Sequence, residues 1–261
     1  MTGNKTAVWR NALGQEIVFD NRTFFLESID MTGTSGIHTV ESLAMTDGQV
    51  TLGHHLGAKT IPCSFAWKDV RDDRWMQEHL PALFNPLIGG TLTVRTREET
   101  YSIDCYPTDV PVFKREAVPY VRRWTVDFVA DTPYWRKGTK RNVLLSDLPP
   151  GDNNSRVLVS PCPFEIAPDI YLPASGDLWL AINGKGISVI GHEEAIIIKT
   201  GTLEVVTAVA GENCSQFIDA RYDIDSLRIS FGRNNILCGL RSGGSPNGVS
   251  LSYYHLSMGE V

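Results

Sequence analysis

The chain has 261 residues, of which 42% are hydrophobic and 21% charged, and a formal net charge of −6. This balance supports a real core and excludes disorder on a large scale, and the length suits two domains of about 130 residues each. An acidic chain has no general attraction for phosphate backbones, which excludes sequence-wide nucleic-acid binding. Arg115, Arg122 and Arg123 are the nearest approach to a basic patch.

The first residues, Met1-Thr2-Gly3-Asn4-Lys5-Thr6, precede no apolar run, so no secretory leader and synthesis in a cytoplasm are expected. Short alternating runs broken by Gly, Pro, Asn and Asp follow, the pattern of a mostly β protein. Glu16 to Leu26 alternates around Ile17, Phe19, Phe24 and Leu26, with Asp20-Asn21 as a turn. Gly48 to Leu52 is another short run. Thr91 to Arg97 places Leu92, Val94 and Thr96 on one face, and after Glu98-Glu99 the run Tyr101 to Tyr106 predicts the second strand of a hairpin. Val121 to Ala130 is the clearest strand. Its Trp124, Val126 and Phe128 face one way and Arg123, Thr125 and Asp127 the other, as a half-buried sheet requires.

One segment, residues 72–84, breaks the β pattern. Trp75, Met76, His79, Leu80 and Leu83 recur at helical spacing, and Asp72 or Asp73 would cap the start by accepting an orphan backbone N–H. Pro81 disfavours helical geometry at Leu80, so the helix is expected to end or tighten there.

Residues 139–160, with Pro149-Pro150-Gly151 and Asn153-Asn154, predict a linker between an N-terminal domain (1–138) and a C-terminal domain (161–261). The second half offers further strands at Val157–Val159, Phe164–Ile166, Leu178–Ile182, Ile187–Ile190, Ala195–Lys199, Leu203–Val209, Leu227–Phe231 and Val249–Leu256. Asn183-Gly184 supplies the positive φ angles of a tight hairpin. Strands at this spacing argue for an antiparallel sandwich. The longest apolar stretch, around Ala195–Ile198, is far short of the ~20 residues of a membrane-spanning helix, and no membrane is expected.

Chemistry is sparse. Cys63, Cys105, Cys162, Cys214 and Cys238 are odd in number and unclustered, which reads as buried, reduced thiols rather than a zinc site. His54 and His55 are neighbours that a strand would point to opposite faces, so they cannot easily share an ion. His79 reads as a packing residue; His38, His192 and His255 stand alone. No G-x-S-x-G elbow or phosphate-binding loop occurs. Asp219, Asp223 and Asp225 lack the glycine and terminal glutamate of a calcium loop and read as a solvated turn. Trp67, Trp75, Trp124, Trp135 and Trp179 could stack on a sugar, but their apolar neighbours fit core packing better. Neither cofactor nor metal is expected.

Several passages carry a resemblance: Ile29-Asp30-Met31-Thr32-Gly33, Asp47-Gly48-Gln49-Val50, and Gly57-Ala58-Lys59-Thr60-Ile61 leading to Phe65. After the helix come Leu83-Phe84-Asn85-Pro86, Gly90-Thr91-Leu92-Thr93-Val94, and the ending Ala130-Asp131-Thr132-Pro133-Tyr134-Trp135. Later, Leu227 to Ile236 reads as a strand, glycine, Asn turn and strand, and Val249 to Tyr254 as a last strand. Read in order, the chain resembles the distal tail (Dit) proteins of long, non-contractile-tailed bacteriophages and related prophages.

That resemblance implies an N-terminal β-sandwich or barrel-like domain with one helix, and a galectin-like antiparallel β-sandwich as the C-terminal domain. It further implies a homo-hexameric ring in the baseplate hub at the virion's tail tip. The ring would join the tail tube (major tail) protein to the tail-hub protein and to receptor-binding proteins, with DNA passing through its lumen without specific binding. A galectin-like shape is not evidence of sugar binding.

A closed ring needs two different patches that meet, and short strands leave edges a neighbour can extend. The Thr32 to Gly57 region, rich in Gly and Thr, is the expected contact, with Thr32, Gly33, Gly36, Asp47, Gly48, Gln49 and Leu52 as candidates. The alternative there is an ordinary hairpin within one subunit. Acidic residues facing the lumen would keep DNA sliding, and Glu98 and Glu99 are the candidates. The rival functions are a carbohydrate-binding protein, which needs exposed aromatics on one face, and a β-sandwich hydrolase, which needs clustered carboxylates or a histidine in a cleft.

Overall fold

The structure, a computed structural model, describes residues 5–34, 36–42, 49–68, 74–112, 114–115, 120–219, 223–243 and 246–259. The chain divides into two compact units, one of residues 1–137 with 257–261 and one of residues 138–256. Both are β-sandwiches with antiparallel ladders, and the protein is mostly β.

In the first unit, β1 (Thr6–Asn11) pairs with β2 (Glu16–Phe19) on one side and β7 (Gly90–Arg95) on the other. β7 forms the expected hairpin with β8 (Thr100–Pro107). A second sheet joins β3 (Phe24–Ile29), β6 (Lys59–Lys68) and β10 (Val121–Ala130), with short β9 (Lys114–Arg115) beside β10. β8 belongs to both: Thr100–Cys105 pair with β7, and Tyr106 and Pro107 pair with β10. A strand that changes sheets in this way closes one end of a sandwich. The alternation along β10 is as expected, with Trp124, Val126 and Phe128 buried among Trp9, Phe19, Phe65, Phe84 and Trp135. Phe19 stacks on Phe65 at 4.0 Å and Trp9 meets Phe128 at 4.8 Å between ring centroids.

The helix α1 (Arg74–Leu83) lies within the predicted 72–84; Asp72 and Asp73 fall outside the described residues. It does not end at Leu80 but runs through Pro81. The bond Pro81 cannot make would go to the carbonyl of Gln77, an exposed residue that water can satisfy. Met76, Leu80 and Leu83, spaced four and three apart, are buried and hold the helix to the core. The Trp9 indole fastens the last turn by donating from Nε1 to the Leu83 carbonyl at 2.8 Å.

The chain enters the second unit within β11 (Trp135–Leu144). Residues 139–160, expected to be a linker, are instead folded: they hold the rest of β11, two 3-10 turns and β12 (Arg156–Ser160), with Leu145 and Leu158 in the core. One sheet has the order β12, β18 (Gly232–Leu240), β14 (Leu178–Ile182), β15 (Lys185–Val189). The other joins β17 (Glu204–Thr207), β16 (Ile196–Lys199), β13 (Asp169–Leu172) and β19 (Ser250–Ser257). Leu178, Leu180, Ile187 and Ile236 from the first sheet meet Ile170, Leu172, Ile196, Ile198 and Leu251 from the second. Asn183-Gly184 turns the β14–β15 hairpin with φ of 54° and 82°, as the dipeptide predicts.

Two expected strands are absent. Phe164–Ile166 and Leu227–Phe231 meet only through a single bridge between Ile166 and Ile229. The strand lies further on, and Asn234-Asn235, expected as a turn, are inside it. Asn234 is fully buried with its amide satisfied: Nδ2 donates to the carbonyls of Ser230 at 2.8 Å and Gly232 at 3.0 Å. Its Oδ1 accepts from Ser230 N and from Asn183 Nδ2, both at 2.8 Å. The buried amide is thus hydrogen-bonded at both ends, as a buried polar group requires.

Candidate assembly surface

The strands β4 (Gly36–Ser42) and β5 (Gln49–Leu56) form a two-stranded ladder of their own, hydrogen-bonded to no other strand among the described residues. Gly36 pairs with Leu56 at its base and Ser42 with Gln49 at the far end. Between Thr39 and Val40 the register shifts, and Leu52 is the residue left without a partner opposite. Of the candidates named from sequence, Gly36, Gln49 and Leu52 lie on this hairpin, Thr32 and Gly33 lie in the approach to it, and Asp47 and Gly48 fall outside the described residues. Along the backbone of this ladder His38 is the register partner of His54. Sequence spacing hides such a pair because the turn length that sets the register is not known beforehand.

The approach is tightly built. Asp30 Oδ1 accepts from Thr32 N at 2.9 Å and Thr32 Oγ1 at 2.8 Å, and these bonds hold the carboxyl below its ordinary value. Lys59, on the return side, is wholly buried, and its Nζ donates to Thr34 Oγ1 at 3.0 Å. Desolvation pushes the Lys59 pKa down, and nearby Asp30 opposes the shift. Lys59 carries no obvious signal in the sequence beyond its place beside Gly57-Ala58.

The Glu98-Glu99 turn sits at the β7–β8 tip. Glu98 is exposed, whereas Glu99 Oε1 lies 3.5 Å from Lys137 Nζ, which offsets its charge. Of the basic residues, Arg122 of β10 is the register partner of Arg115 in β9 and Arg123 that of Lys114. Arg123 is bonded through Nε to both oxygens of Glu27, at 2.8 and 3.0 Å.

Among the described residues, no group of three or more His, Cys, Asp or Glu is placed to hold a metal. Asp223 caps a 3-10 turn by accepting from Asp225 N at 2.9 Å, and Asp225 pairs with Arg228. All five thiols are free. Burial raises Cys63 well above its usual range and pushes Cys105 and Cys238 up to about 12. Trp124 and Trp135 are core residues, while Trp67 and Trp75 are half-buried at 5.4 Å and 70° to each other, an edge contact rather than a flat platform. His79 is exposed and stacks on Trp75 at 4.7 Å. No helix among the described residues is long and apolar enough to cross a membrane.

No known family profile matches the chain, and no curated protein matches it in sequence. Solved structures do match in fold. The SPP1 Dit (gp 19.1) protein, a paradigm of the hub adsorption apparatus in phages infecting Gram-positive bacteria, superposes with a TM-score of 0.70 at 12% identity, over 97% of this chain and 99% of that one. The fold is that of a phage Dit protein. A chain of the phage P2 baseplate in its activated conformation, with Ca or Sr, also matches, at a TM-score of 0.57 and 10% identity over 98% of this chain and 99% of that one. The Dit fold therefore extends through both units, where motifs quoted from the second half are diffuse.

Proposed function

We propose that this chain is a structural component of a phage tail tip, a ring-forming adaptor in the baseplate hub. The observation that carries the reading is the match to SPP1 Dit over 97% of this chain and 99% of the other. A likeness confined to one sandwich would support only a common β architecture. In this reading the protein has no catalytic step; Asp223 caps a 3-10 turn, Glu99 faces Lys137, and His79 stacks on Trp75.

In this reading six copies close into a ring between the tail tube protein and the tail-hub protein, with receptor-binding proteins as further partners. The first unit forms the ring, and the second is a galectin-like sandwich carried on it. The β4–β5 hairpin is the subunit contact, since a ladder of two strands is at best marginal alone and gains most from a partner. Thr32, Gly33, Gly36, Gln49 and Leu52 belong to that contact, and Asp47 and Gly48 are assigned to it by their place in the sequence. Glu98, with a smaller share from Glu99, would line the lumen and repel the passing DNA.

Negative-stain images and light scattering of the purified full chain test this. Six-fold rings with six times the chain mass are expected. Single particles at every concentration, or a chain that binds glycans without assembling, would refute it.

A further inference from the structure

Lys59 opens β6, yet its side chain is entirely shielded from solvent. An ammonium is kept out of water only where fixed acceptors replace its hydration shell. Besides Thr34, the second acceptor is the backbone carbonyl of Met258, 2.7 Å from Nζ and 199 positions away in the chain. Thr34 lies just before β4 and Lys59 just after β5, so one ammonium ties both ends of the hairpin to the segment Ser257–Gly259.

That segment is itself seated with little freedom. Gly259 has φ of +121°, a region closed to other residues, and a Cβ there would stand 2.1 Å from the Met31 carbonyl oxygen. Its backbone therefore lies directly on Met31, which is buried and whose carbonyl also accepts from Trp135 Nε1 at 3.0 Å. Ser257 Oγ accepts from Gly259 N at 3.2 Å, which curls the segment into a short turn over the site.

We propose that Ser257–Gly259 is a strap that, through the Lys59 ammonium, sets the direction in which the root of the β4–β5 hairpin leaves the first unit. The role rests on the hairpin being the subunit contact: a strap in place presents the hairpin at one angle, and a strap displaced leaves it free to swing. Lys59 is thus a positioning residue for assembly rather than a contact.

Two variants of the full chain test the strap from its two ends. Lys59→Met keeps the length of the side chain but removes its donors. Gly259→Ala lifts the strap off Met31 without altering Lys59 or the hairpin. Hydrogen–deuterium exchange is followed at residues 32–36 and 56–60, with β10 as the internal check that the unit is folded, and particle mass is followed by light scattering against dilution. Exchange at the root should quicken at least about tenfold in both variants, with β10 unchanged, and rings should dissociate at protein concentrations at least about tenfold higher than wild type. Unchanged root exchange in Gly259→Ala overturns the strap whatever the oligomeric state. Faster exchange with undiminished ring stability overturns its role in assembly alone. A wild-type chain that never assembles refutes the assembly reading itself, and is recognised before any variant is compared.

Discussion

Asn234 shows how a polar side chain is accommodated inside a buried strand. Its amide is buried and bonded to Ser230, Gly232 and Asn183, so truncation would orphan several groups at once. Asn234→Ala should lower the unfolding free energy by at least about 2 kcal/mol, read from the denaturant midpoint. The thiols make a second case. Because burial raises Cys63, Cys105 and Cys238, they stay protonated and unreactive at about pH 8. A native sample should consume an alkylating reagent far more slowly than an unfolded one, in which all five thiols titrate. Asp30 gives the pH dependence. Its folded pKa lies below the ordinary carboxylate value because Thr32 donates two hydrogen bonds to it. The stabilisation is therefore fully present above the unfolded pKa and is lost as pH falls through the folded one. The melting temperature of Asp30→Asn should fall less than that of wild type between about pH 5 and pH 3.

At the level of elements, α1 and the β14–β15 hairpin follow different rules. The helix tolerates Pro81 because Leu80 and its neighbours anchor it, so Leu80→Ala should cost about 2–5 kcal/mol. In the hairpin, Gly184 has φ of +82° and open space where a Cβ would stand. Gly184→Ala should therefore lose about 1 kcal/mol from the backbone alone, with no clash to relieve. β11 is a contrasting element: residues Lys140 to Asn142 are exposed and polar, so no apolar alternation marks it. Its place in the ladder follows from strands far away in the chain.

For the whole molecule, the two units have separate cores, with Leu80 in one and Leu180 in the other. Losses from Leu80→Ala and Leu180→Ala should add to within about 0.5 kcal/mol in the double variant, since the residues share no partners. Non-additivity beyond that would mean that the cores are coupled. The sequence by itself determined the β class, the helix α1, the alternating face of β10 and the Asn183-Gly184 turn, because each depends on residues within a few positions of one another. The resemblance carried by the Ala130-Asp131-Thr132-Pro133-Tyr134-Trp135 ending and the glycine-containing passages likewise lay open in the chain. Tertiary structure alone decided the folding of residues 139–160, the burial of Asn234 and Lys59, and the backbone register of the β4–β5 ladder. Those features depend on partners up to 199 positions apart, and register and burial are set by which strand arrives beside which, a choice no local pattern encodes.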